Sequence, residues 1–129
     1  MIGLDTNVLV RYLTQDDGAQ TARAAKVIDA AHSATLFVSN VVICELIWVL
    51  EDVYHHKRDD IARVVERLLL SGQLVFEDKD LIWKVVADYH DGKGDFADYM
   101  IGRLSERAGA FETVTFDRAL KGSRLFRLL

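Results

Sequence analysis

The sequence contains no proline, a single cysteine and no apolar run long enough to cross a bilayer. The absence of proline means that no helix has an internal proline break. The lone Cys44 excludes an internal disulfide, and its apolar surroundings favour simple packing. The longest apolar run, residues 41–50, is interrupted by Glu45 and falls short of the ~20 residues that a membrane span needs. No signal-peptide pattern precedes the first apolar segment, so we expect a cytoplasmic protein.

An excess of positive charge is also lacking, because the formal net charge is −4. That balance argues against nucleic-acid binding, since phosphate contacts come from Lys and Arg. The distribution argues differently, because residues 103–129 carry six basic residues against three acidic ones. A solvated charged face explains this excess as well as a binding surface does. Arg103 and Arg107, one helical turn apart, are the candidates for contact with phosphate.

Length and composition predict one domain over residues 1–129, large enough to bury a core without disulfides or metals as staples. Apolar strand-like segments alternate with helical ones, which favours an α/β fold with a largely parallel central sheet of four to five strands flanked by helices. The strands are predicted at 1–5, 36–38, 74–76 and 113–116. The helices are predicted at 7–13, 20–32, around Glu45 after a Ser39-Asn40 cap, 59–70, 80–89 and 96–108. Residues 90–94 form the clearest loop, and the tail to Leu129 is short and mixed.

Acidic residues stand at the ends of apolar segments and inside one of them. Asp5 ends the first apolar run, Asp117 closes the predicted fourth strand, and Asp95 and Asp98 follow the 90–94 loop. Each has an ordinary explanation, because Asp is common in turns and in the first turn of a helix. Glu45 is the only charged residue of the run at 41–50. A buried carboxylate there needs compensation, for which a structural ion pair with an arginine is the competing explanation to a functional site.

The joint pattern carries more weight than any single acid. Ligands of open α/β sheets bind beyond the carboxyl ends of the strands, where Asp5 and Asp117 fall. Gathered carboxylates without a Cys or His cluster are the ligands of Mg²⁺ or Mn²⁺. The chemistry that this donor set predicts is metal-assisted hydrolysis of a phosphodiester.

Four segments resemble the acidic motifs of PIN-domain ribonucleases, in the same order and over nearly the whole chain. They are LDTNVL at 4–9, CEL at 44–46, DFADYMI at 95–101 and TFD at 115–117. Single-domain PIN proteins of this length are mostly VapC-type toxins of toxin–antitoxin pairs. The resemblance therefore implies a PIN-like three-layer sandwich, an RNA substrate, a VapB-like antitoxin and a homodimer.

The same resemblance implies the roles of individual residues. Asp5 and Asp98 are expected to bind Mg²⁺ or Mn²⁺ directly, and Glu45 and Asp117 to complete the site directly or through water. Asp95 is an additional acid that could hold a second metal or position the nucleophile. The polar residues that accompany the motifs are expected to orient carboxylates or water, and they are Thr6, Asn7 and Thr115.

Two other readings stay open at this stage. A phosphatase with an aspartyl nucleophile after its first strand would want a second carboxylate two residues further on, and this chain has Asn7 there. A catalytically silent binding module with structural acids would show no metal dependence and would tolerate loss of Asp5 or Asp98.

Overall fold

The computed structural model describes residues 1–33 and 35–129, and over those residues the chain forms six α-helices and five short strands. The strands are β1 (Ile2–Gly3), β2 (Leu36–Val38), β3 (Leu74–Phe76), β4 (Thr113–Thr115) and β5 (Phe126–Leu128). The helices are α1 (Thr6–Thr14), α2 (Gly18–Asp29), α3 (Asn40–Asp52), α4 (Arg58–Leu69), α5 (Lys79–Asp91) and α6 (Phe96–Arg107). The α/β class is confirmed.

All strand pairs are parallel, and the strands hydrogen-bond as two sheets. The first has the order β1-β2-β3, with Ile2 opposite Leu36 and Leu36 opposite Leu74. The second is the pair β4-β5, with Thr113 opposite Phe126. The strand at 1–5 is predicted too long, because only Ile2–Gly3 pairs as a strand. Because β1 is so short, it has few backbone groups with which another strand could pair on its outer side.

The core is one cluster of apolar side chains to which all six helices contribute. The stripe predicted on α4 is confirmed, since Ile61, Val65, Leu68 and Leu69 are buried. Each such side chain contributes about 1.5–3 kcal/mol to folding when fully buried. The core therefore fixes the helices that carry the acidic residues.

Helix caps place the helix starts. The hydroxyl of Ser39 accepts the backbone N–H of Val42 at 3.2 Å, so the cap predicted for α3 is confirmed. The carboxylate of Asp17 accepts the N–H of Gln20 at 3.0 Å, which starts α2 earlier than the predicted residue 20. The same helix ends at Asp29, before the predicted residue 32.

The tail is more ordered than its mixed composition predicts. A short 3-10 helix at Arg118–Leu120 precedes β5. Gly102 of α6 lets β5 approach closely, because a Cβ at that position would lie 2.9 Å from the ring of Phe126. None of the helices in the described residues is long and apolar enough to span a bilayer.

Candidate functional site

Asp5 lies between β1 and α1, at the N-cap position of that helix. Its backbone is extended (φ −79°, ψ 158°), its side chain is exposed, and it makes no capping hydrogen bond among the described residues. Asn7, in the first turn of α1, is also exposed. The carboxylate that the resemblance assigns to a metal therefore projects from the end of the first strand into solvent, where it is accessible to a ligand.

Glu45 is exposed, so the expectation of a buried carboxylate in an apolar helix is wrong. The helix α3 turns Ile43, Leu46, Ile47 and Leu50 into the core. The opposite face of α3 carries Glu45 together with Val41 and Trp48. Val41 is 66% exposed and Trp48 is 60% exposed. The sequence does not separate the two faces because both are apolar.

The partner of Glu45 is a buried hydroxyl and not an arginine. The Oγ1 atom of Thr6, a residue only 6% exposed, donates to Oε1 of Glu45 at 3.2 Å. Because Thr6 follows Asp5 directly, this bond links the first acidic motif to the second. This hydrogen bond agrees with the predicted role of Thr6, which is to orient a carboxylate.

A second group of acids forms around the start of α6. Asp95 takes the N-cap position and is exposed, while Asp98 lies one turn inside the helix and is half-buried. The backbone N–H of Asp95 donates to Oδ2 of Asp98 at 3.3 Å. The carboxyl of Asp98 also lies within hydrogen-bonding reach of Asp117. Asp98 therefore feels the charge of one acid from its own motif and of one acid from a distant motif.

The pKa of Asp98 is raised above its ordinary value of 3.8. Partial burial is the main cause, and the N–H of Asp95 opposes it by stabilising the carboxylate. The negative charges of Asp95 and Asp117 raise the pKa further. A cation at this point would relieve the repulsion and favour the ionised form.

Asp117 is fixed by its immediate neighbours in the chain. Its backbone N–H donates to Oγ1 of Thr115 at 3.0 Å, and its Oδ1 accepts the N–H of Ala119 at 2.9 Å. The second bond caps the 3-10 helix at Arg118–Leu120. Thr115 therefore shapes the turn that carries Asp117, which agrees with a supporting role.

The donor set is compatible with Mg²⁺ or Mn²⁺. In the described part of the chain, no three His, Cys, Asp or Glu side chains stand close enough together to hold a metal among themselves. Mg²⁺ rarely uses such a cage, since one or two carboxylates with water and substrate phosphate suffice for it. Asp98 and Asp117, two hard oxygen donors whose charges act on each other, fit that mode of binding.

Both arginines proposed for phosphate contact already have acidic partners. Arg103 forms a bidentate pair with Asp88, at 2.7 and 2.8 Å, and its side chain is half-buried. Arg107 pairs with Asp78. These bonds leave less charge available to a phosphate than the sequence alone indicates.

The loop before Asp95 is held by Arg58, a residue for which no sequence pattern predicts a role. Its Nη1 donates to the carbonyls of Tyr89 and Gly94, both at 2.8 Å. Its guanidinium lies 4.2 Å from the centre of the Tyr89 ring. The N–H of Gly94 donates to the hydroxyl of Tyr99 at 3.0 Å. These bonds fix the loop that delivers Asp95 and Asp98.

Comparison with known proteins agrees with this arrangement of motifs. Residues 2–122 match the PIN domain family. The chain is 31% identical over 119 residues to a protein of Aquifex aeolicus (strain VF5) named VapC ribonuclease, covering 92% of this chain and 88% of that protein. No solved structure matches the sequence at a significant level.

Proposed function

This chain belongs to the PIN domain family, and on that premise we propose that it is an Mg²⁺- or Mn²⁺-dependent endoribonuclease acting as the toxin of a toxin–antitoxin pair. The observation that carries the proposal is the proximity of Asp98 to Asp117, which belong to two family motifs that are distant in the sequence. The name of the Aquifex aeolicus relative supports RNA as the substrate and a VapB-like antitoxin as the partner. We place the protein in the cytoplasm and expect it to form a homodimer.

Asp5 and Asp98 are the proposed direct ligands, with Glu45 and Asp117 completing the site. The bound ion would polarise the scissile phosphate and lower the pKa of an attacking water. The chain's own contribution is to hold the carboxylates in place. Thr6 orients Glu45 through its hydroxyl, and the N–H of Asp95 fixes Asp98. The carboxylate of Asp95 stands beside Asp98 as an additional acid that could hold a second metal or position the water.

The test is cleavage of total RNA by the purified chain with Mg²⁺, with Mn²⁺ and with EDTA. We expect fragments only with a metal. We expect Asp5→Asn and Asp98→Asn to lower the rate by about 10³-fold, because each removes several kcal/mol of charge stabilisation. Growth arrest on expression in a bacterial host, lost in both variants, tests the toxin role.

The matched control is Asp80→Asn, which removes an exposed carboxylate on α5 outside the acidic groups. It should cleave like the wild type. Cleavage that persists in EDTA, or in folded Asp98→Asn protein, contradicts the metal-nuclease proposal. RNA binding without cleavage under every metal condition would identify a binding module instead.

A further inference from the structure

An open cleft of about 580 Å³ lies beside the second acidic group. One wall comes from the end of α5, the loop at 92–94 and α6, and the other from the segment that follows Asp117. Its charged lining has five basic residues and two acids, which are Lys93, Arg103, Arg118, Lys121, Arg124, Asp88 and Asp91. The cleft is thus locally cationic in a chain whose formal net charge is −4.

The basic residues of the cleft fall into two kinds. Arg103 is neutralised by its bidentate pair with Asp88, and Arg124 pairs with Glu106 at 2.6 Å. Lys93, Arg118 and Lys121 form no ion pair with any residue that the structure describes. All three are exposed. Their charges are therefore available to an anionic ligand.

Both walls lead directly to the candidate metal ligands. Lys93 stands two residues before Asp95, and Arg118 follows Asp117. The 3-10 helix that contributes Arg118 to the cleft is capped by Asp117, whose neighbour is Asp98. Tyr99 of the lining also follows Asp98 directly, so the cleft lining adjoins all three acids of this group in the sequence.

We propose that this cleft binds the sugar–phosphate backbone of the RNA next to the scissile bond, through Lys93, Arg118 and Lys121. Arg103 and Arg124 form part of the cleft wall. Because their charges are paired with acidic residues, they contact the RNA less. This inference rests on the proposed function and names the substrate path of the same site. An acidic peptide fits less well, because the cleft adjoins the acids of the proposed nuclease site, whose chemistry would act on a phosphodiester and not on a peptide.

The test is fluorescence anisotropy of fluorescein-labelled single-stranded RNA of mixed sequence, titrated with the full chain in EDTA. The variant Arg118→Ser/Lys121→Ser should bind about tenfold more weakly, since it loses two charge contacts. Lys93→Ser, on the opposite wall, should weaken binding by about threefold. The matched control is Arg23→Ser/Lys26→Ser, which removes the same charges from exposed positions on α2.

The salt dependence separates specific contacts from a general change of charge. Each lost phosphate contact should lower the slope of log K against log salt by about 0.7 for a single strand. The cleft double variant should therefore lose about 1.4 of slope, and the α2 control should lose none. Equal weakening in both double variants, or wild-type affinity in the cleft variant, overturns the proposal.

The outcome is independent of whether the chain cuts RNA. Cleft-dependent binding by a chain that cleaves nothing would retain the cleft and reject the proposed ribonuclease. Normal cleavage and binding by the cleft variants would retain the ribonuclease and reject this path. Loss of binding to an acidic peptide alone, with RNA affinity unchanged, would assign the cleft to a protein partner and overturn the proposal.

Discussion

The two acidic groups of this chain are stabilised in different ways. At α1 and α3, the carboxylate of Glu45 is exposed to water and accepts a bond from the neutral hydroxyl of Thr6. At α6, the half-buried carboxyl of Asp98 faces Asp95 and Asp117, and its pKa is raised. The first group is satisfied as it stands, whereas the second gathers negative charge that only a proton or a cation relieves.

This difference indicates where binding of a metal would change the molecule most. A cation beside Asp98 would remove repulsion between carboxylates that the fold already holds together. Near Glu45, a cation would only replace water at a carboxylate that is not subject to this repulsion. If the proposed metal binds at the α6 group, protein stability and metal binding would be coupled there, because the cation would offset a repulsion that lowers the stability of the metal-free fold.

The largest effect on stability should come from loosening the loop that precedes α6. Arg58→Ala removes two hydrogen bonds from a charged donor to the carbonyls of Tyr89 and Gly94. We expect the free energy of unfolding in urea to fall by about 3 kcal/mol. Arg58→Lys should recover only part of it, since an ammonium lacks the planar fork.

The control is Arg63→Ala on the same helix, where the exposed side chain forms a surface ion pair with Asp60 and a 3.4 Å hydrogen bond to the carbonyl of Asp59. Its effect should stay within about 0.5 kcal/mol. If Arg58→Ala destabilises no more than this control, the loop before Asp95 does not depend on the arginine.

An intermediate effect should come from the other acidic group. Thr6→Val removes the hydroxyl that orients Glu45, at a cost of about 1 kcal/mol in unfolding free energy, because Glu45 stays hydrated. RNA cleavage should fall by about tenfold, as for loss of a residue that orients a ligand. Thr6→Ser keeps the hydroxyl and should retain most activity. Equal activity of the Val and Ser variants would exclude the orienting role.

The smallest effect should be the pH dependence of the metal-free protein. Because the pKa of Asp98 is raised, the folded state binds more protons than the unfolded state as the pH rises from 3.8 through the folded-state pKa. Stability therefore decreases over that window. Relative to Asp98→Asn, wild-type protein in EDTA should lose a small amount of stability over this window, and Mg²⁺ should restore it. Parallel thermal unfolding curves of the two proteins across this range would argue against repulsion at Asp98.

The sequence predicts what local patterns control. The stripe on α4, the Ser39 cap and the acids at strand ends all follow from short-range rules, and the structure contains them. The exposure of Glu45 does not follow, because α3 is apolar on both faces and only tertiary packing decides which face is buried. Arg58 acts on backbone carbonyls, which leave no signature in the sequence. The cleft arises where two distant loops meet, so its free cations become distinct from the paired ones only in three dimensions.

The division of the strands into two sheets determines what holds the carboxyl-terminal strands in place. Within the described residues, no strand ladder joins β1-β2-β3 to β4-β5. The paired residues of the small sheet, Thr113 and Phe126, are close in the sequence. In the larger sheet Ile2 pairs with Leu36 and Leu36 with Leu74, which are farther apart in the sequence. The carboxyl-terminal pair is instead held to the rest of the molecule by packing, since Phe126 lies against Gly102 of α6 and Leu120 is buried in the core. Because Asp117, Arg118 and Lys121 lie between β4 and β5, their positions depend on that packing and on the β4-β5 pairing rather than on a ladder to the larger sheet.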